Sequence, residues 1–290
     1  AASDVYKRQT INQRPTFHTQ EATFTQPRAI GAASVVVRGD QSGKTRLANL
    51  RQSGCMKLVF PKMYRNDIEA VLVNTSGGIT GGDTLALQAQ VKPGAMLTLT
   101  TQAAERAYRA QDGEVGKVTT HLTVEDNAQL NWMPQELILY DRCALSRRLT
   151  IDLQGTAQLL LVEPVVFGRK AMHEVLHTVS FRDRIKISRN GMPLYLDGMD
   201  LSGDAVQALA RPALANGAGA MASVVFAHPD AAGHLQAVRA MLPASGGASM
   251  LTDDLLVIRC LAPDSFELRR ALMPVLEHLS QKNLPISWRL

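Results

Sequence analysis

From Ala33 to about Ser188, apolar and polar positions alternate along the chain. ASVVVRG, MKLVFPK, EAVLVNT, TLALQAQV, MLTLTTQ, KVTTHLTVE, AQLNWMP, LSRRLTIDLQG and AQLLLVEPVVFG follow one another, rich in Val, Leu, Ile and Thr and separated by turn residues. Successive side chains on a strand point to opposite faces, so each run is predicted to be a short strand with a buried face. Their regular spacing predicts stacked antiparallel sheets or a sandwich. PGAM (Pro93 to Met96) and DNAQ (Asp126 to Gln129) are turn signals joining strand pairs. Three segments share one shape: VKPGAMLTLTTQ, VEDNAQLNWMPQ and LQGTAQLLLVEP. Each reads as a turn, a small residue and a strand entering the core, a repeat of about thirty residues of the kind that stacks sheets on one another.

Beyond this region the pattern changes. SFRDRIKISRNGMPLYLDGMDL predicts two strands around Asn190-Gly191, a strong hairpin signal. Ser202 to Ala220 predicts a short helix and a loop, residues 221–227 a strand, and LTDDLLVIRCLA a late strand. His234 to Leu242 reads as an amphipathic helix opened by Pro229 and Asp230 and stopped by Pro243. Asp264 to Lys282 carries Phe266, Leu268, Leu272, Val275, Leu276 and Leu279 at helical spacing, with Asp264 or Ser265 as N-cap and Pro274 expected to interrupt and kink the helix. No low-complexity linker divides the chain. The expectation is a single β-rich domain over residues 28–290 with a few helices near its end, preceded by an extension over residues 1–27. The opening AASDVYKRQ (Ala1 to Gln9), which does not begin with Met, reads as translated adapter sequence.

Composition narrows the class. With 46% apolar and 20% charged residues in 290, the chain can bury a sizeable core and is not a disordered protein. Thirty-one Lys and Arg against 26 Asp and Glu give +5, spread along the chain rather than in a basic stripe, so nucleic acid is not the expected partner. Cys55, Cys143 and Cys260 are far apart and odd in number, which argues against a disulfide framework or cysteine zinc site and for a reducing cytoplasm. No apolar run approaches the ~20 residues of a membrane span, and no signal peptide is expected, the first thirty residues being polar.

Candidate chemistry lies in four segments. NTSGGITGGD places Gly77, Gly78, Gly81 and Gly82 around Ile79 and Thr80. Such a loop can cradle an anion, but GxxxxGK[ST] and GxGxxG are both absent, and the favoured reading is a pair of tight turns with Asp83 accepting backbone N–H groups. TTQAAERAYR carries Arg106, Tyr108 and Arg109, either a binding patch or a solvated strand end. In WMPQELILY, strand alternation puts Trp132, Pro134, Glu136, Ile138 and Tyr140 on one face and Met133, Gln135, Leu137 and Leu139 on the other. A glutamate among apolar residues must be paired or line a wet cavity. Glu163 in LVEPVVFGR stands in a similar position, followed by Gly168 and Arg169, with Glu174 in KAMHEVLH. These carboxylates could form an acid–base pair of a hydrolytic enzyme, line a hydrophilic channel, or pair with Arg142, Arg147 and Arg169. His173-Glu174-Val175-Leu176-His177 matches HExxH in spacing, but Val175, Val179 and Phe181 predict a strand where a zincin needs a helix, and no third ligand is evident.

GGITGGD, TTQAAERAYR, WMPQELILY and EPVVFGRKAMHE, in this order and followed by ISRNG, LYLDG and the closing LPISWRL, resemble the urease accessory protein UreD (UreH) family over residues 28 to 290. The chain has Arg106 where many members carry Lys, and Tyr140 where Phe is usual. The resemblance implies a mainly β, β-helix-like stack of sheets with a few C-terminal helices. It implies an accessory scaffold rather than an enzyme, with no tightly bound cofactor. Such a scaffold binds urease apoprotein and a helical partner, UreF, which recruits the GTPase UreG, and helps place Ni²⁺ in urease. A water-filled passage is implied too, for which Asp83, Glu136, Glu163 and Glu174 are candidates. Weakly held oxygen donors suit a hydrated ion that must leave again. Phe266 to Leu279 and Ala205 to Ala220 are the candidate partner surface.

Overall fold

The computed structural model describes residues 26–62 and 65–289; Ala1 to Gln9 and most of the expected extension lie outside them. The strands are β1 (Ile30–Gly39), β2 (Thr45–Gly54), β3 (Met56–Val59), β4 (Ile68–Asn74), β5 (Thr84–Val91), β6 (Met96–Thr101), β7 (Glu105–Ala107), β8 (Gly116–Val124), β9 (Gln129–Met133), β10 (Leu137–Leu139), β11 (Ala144–Leu153) and β12 (Gln158–Phe167). After a 3-10 turn at Lys170–Met172 come β13 (Val179–Arg189), β14 (Met192–Gly203), α1 (Ala205–Ala210), β15 (Ala220–Ala227) and α2 (Ala231–Met241). The hairpin β16 (Gly246–Thr252) and β17 (Leu255–Ala262) leads to α3 (Ser265–Leu279) and α4 (Ile286–Arg289).

From β4 to β13 the chain alternates between two sheets. One has seven strands in the order β14-β13-β11-β8-β5-β1-β2; the other has ten, following β16-β17-β15-β12-β9-β6-β4-β3 with β10 set beside β12 and β7 beside β10. Neighbours within a sheet are therefore one coil apart. The ladders β1–β5–β8–β11–β13 and β4–β6–β9–β12 are parallel, and antiparallel pairing is confined to the ends. This corrects the expectation of antiparallel sheets. The turns were recognised, but each carries the chain across to the other sheet instead of back along its own. The result is a β-solenoid-like stack.

The thirty-residue repeat is one coil. Met96 aligns with Gln129 and Gln129 with Gln158, and the small residues before them, Ala95, Ala128 and Ala157, are stacked and buried. Carbonyls of Ala95 and Ala128 accept the next coil's Gln129 and Gln158 N–H groups at 3.0 and 2.9 Å.

Two cores result. One fills the space between the sheets and includes Leu87, Leu97, Leu122, Leu130, Ile151 and Leu161. The second lies between the ten-stranded sheet and the helices, with Leu160, Val224, Ile258, Leu272, Val275 and Trp288. Strand β12 separates them, which explains why apolar residues stand on both of its faces: Leu159, Leu161, Val165 and Phe167 face the first core, Leu160, Val162 and Val166 the second.

The Asn190-Gly191 turn forms as expected, with both residues in the left-handed region (φ 51° and 79°). Asp264 caps α3, accepting the Glu267 N–H at 2.9 Å. Three local expectations change. LTDDLLVIRCLA is not one strand: it turns at Asp253-Asp254 and pairs with the unrecognised strand β16. Pro274 does not interrupt α3, because it sits on the exposed face and one missing N–H is outweighed by the buried row Leu268, Leu272, Val275, Leu276 and Leu279. That row is core, so α3 is no apolar partner surface; Phe266 alone of its predicted apolar face lies open, at 70%. In the Ala205 to Ala220 stretch, Val206 and Leu214 are exposed while Ala205, Ala215 and Ala220 are buried. Among the described residues no helix is long and apolar enough to cross a membrane.

Candidate functional site

The ten-stranded sheet has a seam. In three successive coils its ladder lapses at neighbouring places: between β6 and β7 (residues 102–104), between β9 and β10 (residues 134–136), and along β12 at Val162–Pro164, which pairs with neither β9 nor β10. Pro134 and Pro164 fall where no ladder bond is needed from this side, since proline has no N–H to give. The break shifts the alternation of WMPQELILY. Trp132, Leu137 and Leu139 all face the space between the sheets, while Met133 and Ile138 face the helices. The expected common face of Trp132 and Glu136 is thus corrected: Trp132 turns inward and Glu136 bonds outward.

Inside the seam stands a buried ion triad. Three strands each interrupt an apolar row with one charge: Arg147 between Leu145 and Leu149, Glu163 between Leu161 and Val165, and Asp183 between Phe181 and Ile185. Arg147 lies 2.6 Å from Glu163 and makes two bonds to Asp183, at 3.0 and 2.5 Å. The Trp132 indole N–H donates to the other Glu163 oxygen at 2.5 Å. Burial, only partly offset by Arg147, pushes the Glu163 carboxyl above its ordinary value. Burial also works against charge on Arg147, but Asp183 and Glu163 together hold its pKa up.

Cavities run past this triad. An outer depression of about 240 Å³ is lined by Asn74, Gly77, Gln102 and Arg106, and shares Leu72, Thr101 and Glu105 with an inner cavity of about 80 Å³. The inner cavity is bounded by Trp132, Pro134, Gln135, Arg147 and Glu163, with apolar walls that include Met56, Ile79, Leu85 and Leu87. Glu163 also borders a space of about 20 Å³ with Asp183, Asp197 and Arg259. This space shares Gly198, Met199, Met221 and Arg259 with an outer cleft of about 460 Å³. At ~10–15 Å³ of such volume per water, the inner cavity holds several waters and the narrow space about one.

Glu105 stands where the outer depression meets the inner cavity. Its carboxylate receives the Asn74 amide at 3.2 Å and its neighbour's N–H from Arg106 at 3.2 Å, and among the described residues it makes no ion pair. Burial raises its pKa. Glu105 was not singled out from the sequence, because it opens a three-residue strand too short to show alternation. Asp183 had a legible signal, an acid in the row Val179, Phe181, Ile185, Ile187.

The nominated carboxylates are not brought together. Asp83 ends the glycine-rich turn, its oxygens accepting N–H groups of Ala29 at 2.7 Å and Thr80 at 2.8 Å. Glu136 pairs with Arg269 at 3.1 Å; Arg269 also bonds Gln135 at 2.9 Å and stacks over Trp288, tying α3 and α4 to the seam. Glu174 takes two bonds from the Arg169 guanidinium at 3.0 Å each, and its pKa is lowered chiefly by them. Residues 173–178 form neither the expected strand nor a zincin helix. Among the described residues no group of three or more His, Cys, Asp or Glu converges as a metal set.

The glycine-rich loop is packed against protein at Gly78, Gly81 and Gly82, while Gly77 borders the outer depression. A Cβ at Gly78 would lie 2.2 Å from the Tyr108 ring, and one at Gly82 2.9 Å from the Arg28 side chain. Tyr108 donates to the Gly77 carbonyl at 3.2 Å, receives Arg106 at 3.2 Å and meets Tyr140 edge-on, and Arg169 lies 4.1 Å over the Tyr140 ring. Gly168, at φ 80°, ends β12 beside it. Arg109 is exposed, and its carbonyl accepts the Thr80 hydroxyl at 2.7 Å. Residues of all four motifs thus meet on one edge of the stack.

Fold and site together define a β-solenoid protein whose seam is threaded by cavities and whose motif edge is built of stacked Tyr and Arg. The UreD urease accessory protein family model matches residues 30–288. Similar curated proteins include urease accessory protein UreD of Roseobacter denitrificans, 49% identical and covering 91% of this chain and 96% of its own. That of Ruegeria pomeroyi is 51% identical over 83% of this chain and 94% of its own, and that of Brucella suis 40% over 86% and 90%. The chain belongs to the UreD urease accessory protein family.

Proposed function

We propose that this chain is a non-catalytic scaffold of urease maturation. It binds urease apoprotein and the helical partner UreF, through which the GTPase UreG joins, and Ni²⁺ crosses its interior as cargo towards the urease active site. One observation carries the passage reading: the succession of cavities with shared walls, from Glu105 past Glu163 and Asp183 to Asp197. Among the described residues Glu105 offers a carboxylate with no ion pair at the mouth, while Glu163 and Asp183 are held by Arg147, so the interior attracts a divalent ion without trapping it. Asp83, Glu136 and Glu174 enter this reading as residues that shape the surrounding turns and seam. Cys55, Cys143 and Cys260 are all free thiols, which supports a cytoplasmic setting.

The test is nickel loading of apo-urease by the assembled accessory proteins. Glu163→Gln leaves Arg147 paired one-to-one with Asp183, and Glu105→Gln breaks no ion pair, so both variants should fold and co-purify with their partners. Each is expected to lower the nickel content of urease. Full loading by both would refute the passage; failure of the wild-type chain to co-purify with UreF or apo-urease would refute the scaffold reading.

A further inference from the structure

On the solvent side of the seven-stranded sheet, the stack gathers cations that lie far apart in the sequence. Lys117 on β8, Arg148 on β11, and Arg182, Arg184 and Lys186 on β13 are all exposed. The register sets them side by side: Ser146 aligns with Lys117 on one flank and Arg182 on the other, and Arg148 aligns directly with Arg184. At ~4.8 Å between strands and ~3.3 Å per residue along them, the charges share a patch roughly 10 Å by 13 Å. Two acids enter the patch, and both are already partnered. Asp152 receives His121 at 2.7 Å and the Ser188 hydroxyl, and Asp200 pairs with Arg182 at 3.2 Å and Arg184 at 3.5 Å. Among the described residues Lys117, Arg148 and Lys186 make no ion pair. Aligned like charges such as Arg148 and Arg184 work against the fold, a cost that a partner's carboxylates would offset. Thr119, Ser146 and Thr150, which stand between the charges, are short and let another surface approach closely.

This face also borders the far end of the passage. Gly198 and Asp200, aligned with Arg184 and Arg182, line the outer cleft of about 460 Å³. A Cβ at Gly198 would lie 3.0 Å from Arg184 Nη1, so the Arg184 side chain crosses to the lip of that cleft. We propose, resting on the scaffold and passage reading, that this basic face docks a carboxylate-rich surface of urease apoprotein and holds the ion's recipient beside the cleft. A protein partner fits better than nucleic acid. Asp152 and Asp200 lie among the cations, where they repel a phosphate backbone but match a protein surface of mixed charge.

The test is binding of the full-length chain to purified apo-urease, and separately to UreF, by surface plasmon resonance at low and high salt. Wild-type affinity for apo-urease is expected to fall by about tenfold or more between about 50 and 300 mM salt. The triple variant Lys117→Glu, Arg148→Glu, Lys186→Glu, checked for folding by circular dichroism, should bind apo-urease at least about tenfold more weakly at low salt and keep its affinity for UreF. The same charge change at Lys44, Arg270 and Lys282, exposed residues outside this face, should leave apo-urease binding within about twofold. Unchanged affinity in the first variant, with wild type binding, would overturn the surface and leave the scaffold reading standing. Loss of UreF instead of apo-urease, an equal loss in the second variant, or tighter wild-type binding to a DNA duplex than to apo-urease would overturn it as well. A wild type that binds neither apo-urease nor UreF would overturn the scaffold reading itself.

Discussion

Replacing Arg147 with Met removes the cation that bridges Glu163 and Asp183. Among the described residues no other ion pair reaches either carboxylate, and both residues are buried. Breaking a buried pair by deleting one partner costs about 3–5 kcal/mol. At ~2–4 °C per kcal/mol for a domain of this order, Tm should fall by roughly 6–20 °C at neutral pH. The loss has a definite pH sign. Glu163 already titrates above its ordinary 4.5 because burial outweighs the help of Arg147, and without Arg147 it must titrate higher still. A carboxyl with a raised folded pKa contributes stability below its unfolded pKa and loses it as pH rises through the folded one. The gap between variant and wild type should therefore be narrow near pH 5 and full near pH 8. Urea and thermal melts followed by circular dichroism at both pH values measure it. A loss under about 1 kcal/mol at pH 8, or a gap that does not change with pH, would show that the triad is not a buried charged unit.

Glu105→Gln should flatten the pH dependence of stability above pH 4.5, since burial raises Glu105 and its contribution is lost as pH rises through that raised value; urea midpoints at three pH values check this. Gly78→Ala should cost about 1–3 kcal/mol by driving a methyl into the Tyr108 ring, read as a lower Tm and altered near-ultraviolet circular dichroism. Asp264→Ala should cost about 1 kcal/mol through loss of the α3 cap, measured by urea unfolding, with Asp264→Asn close to neutral.

Much of the fold was legible because a solenoid repeats its local rules. The turn, small residue and inward strand recur at Ala95, Ala128 and Ala157, and the alternation of β5, β11 and β13 marks one wet face and one dry face. Strand direction was not legible, because a turn that crosses to a second sheet carries the same residues as one that returns along the first. The site was legible in part. Glu163 stood out in an apolar run, and its pairing with Arg147 was among the readings the sequence left open. Pro134 hid the register slip that separates Trp132 from Glu136, and Glu105 lacked a strand long enough to reveal its face. Arg147 and Asp183 acquire their meaning only when three coils are stacked.

The central claim is that the interior is a conduit. Thr120 lines the inner cavity of about 80 Å³, and Thr120→Leu fills part of that space with apolar bulk while all three charges of the triad are kept. The decisive measurement is the nickel content of urease matured with this variant, taken alongside its co-purification with UreF and apo-urease. The account predicts an intact complex and urease depleted of nickel by at least about half; an intact complex that delivers a full nickel complement would contradict it.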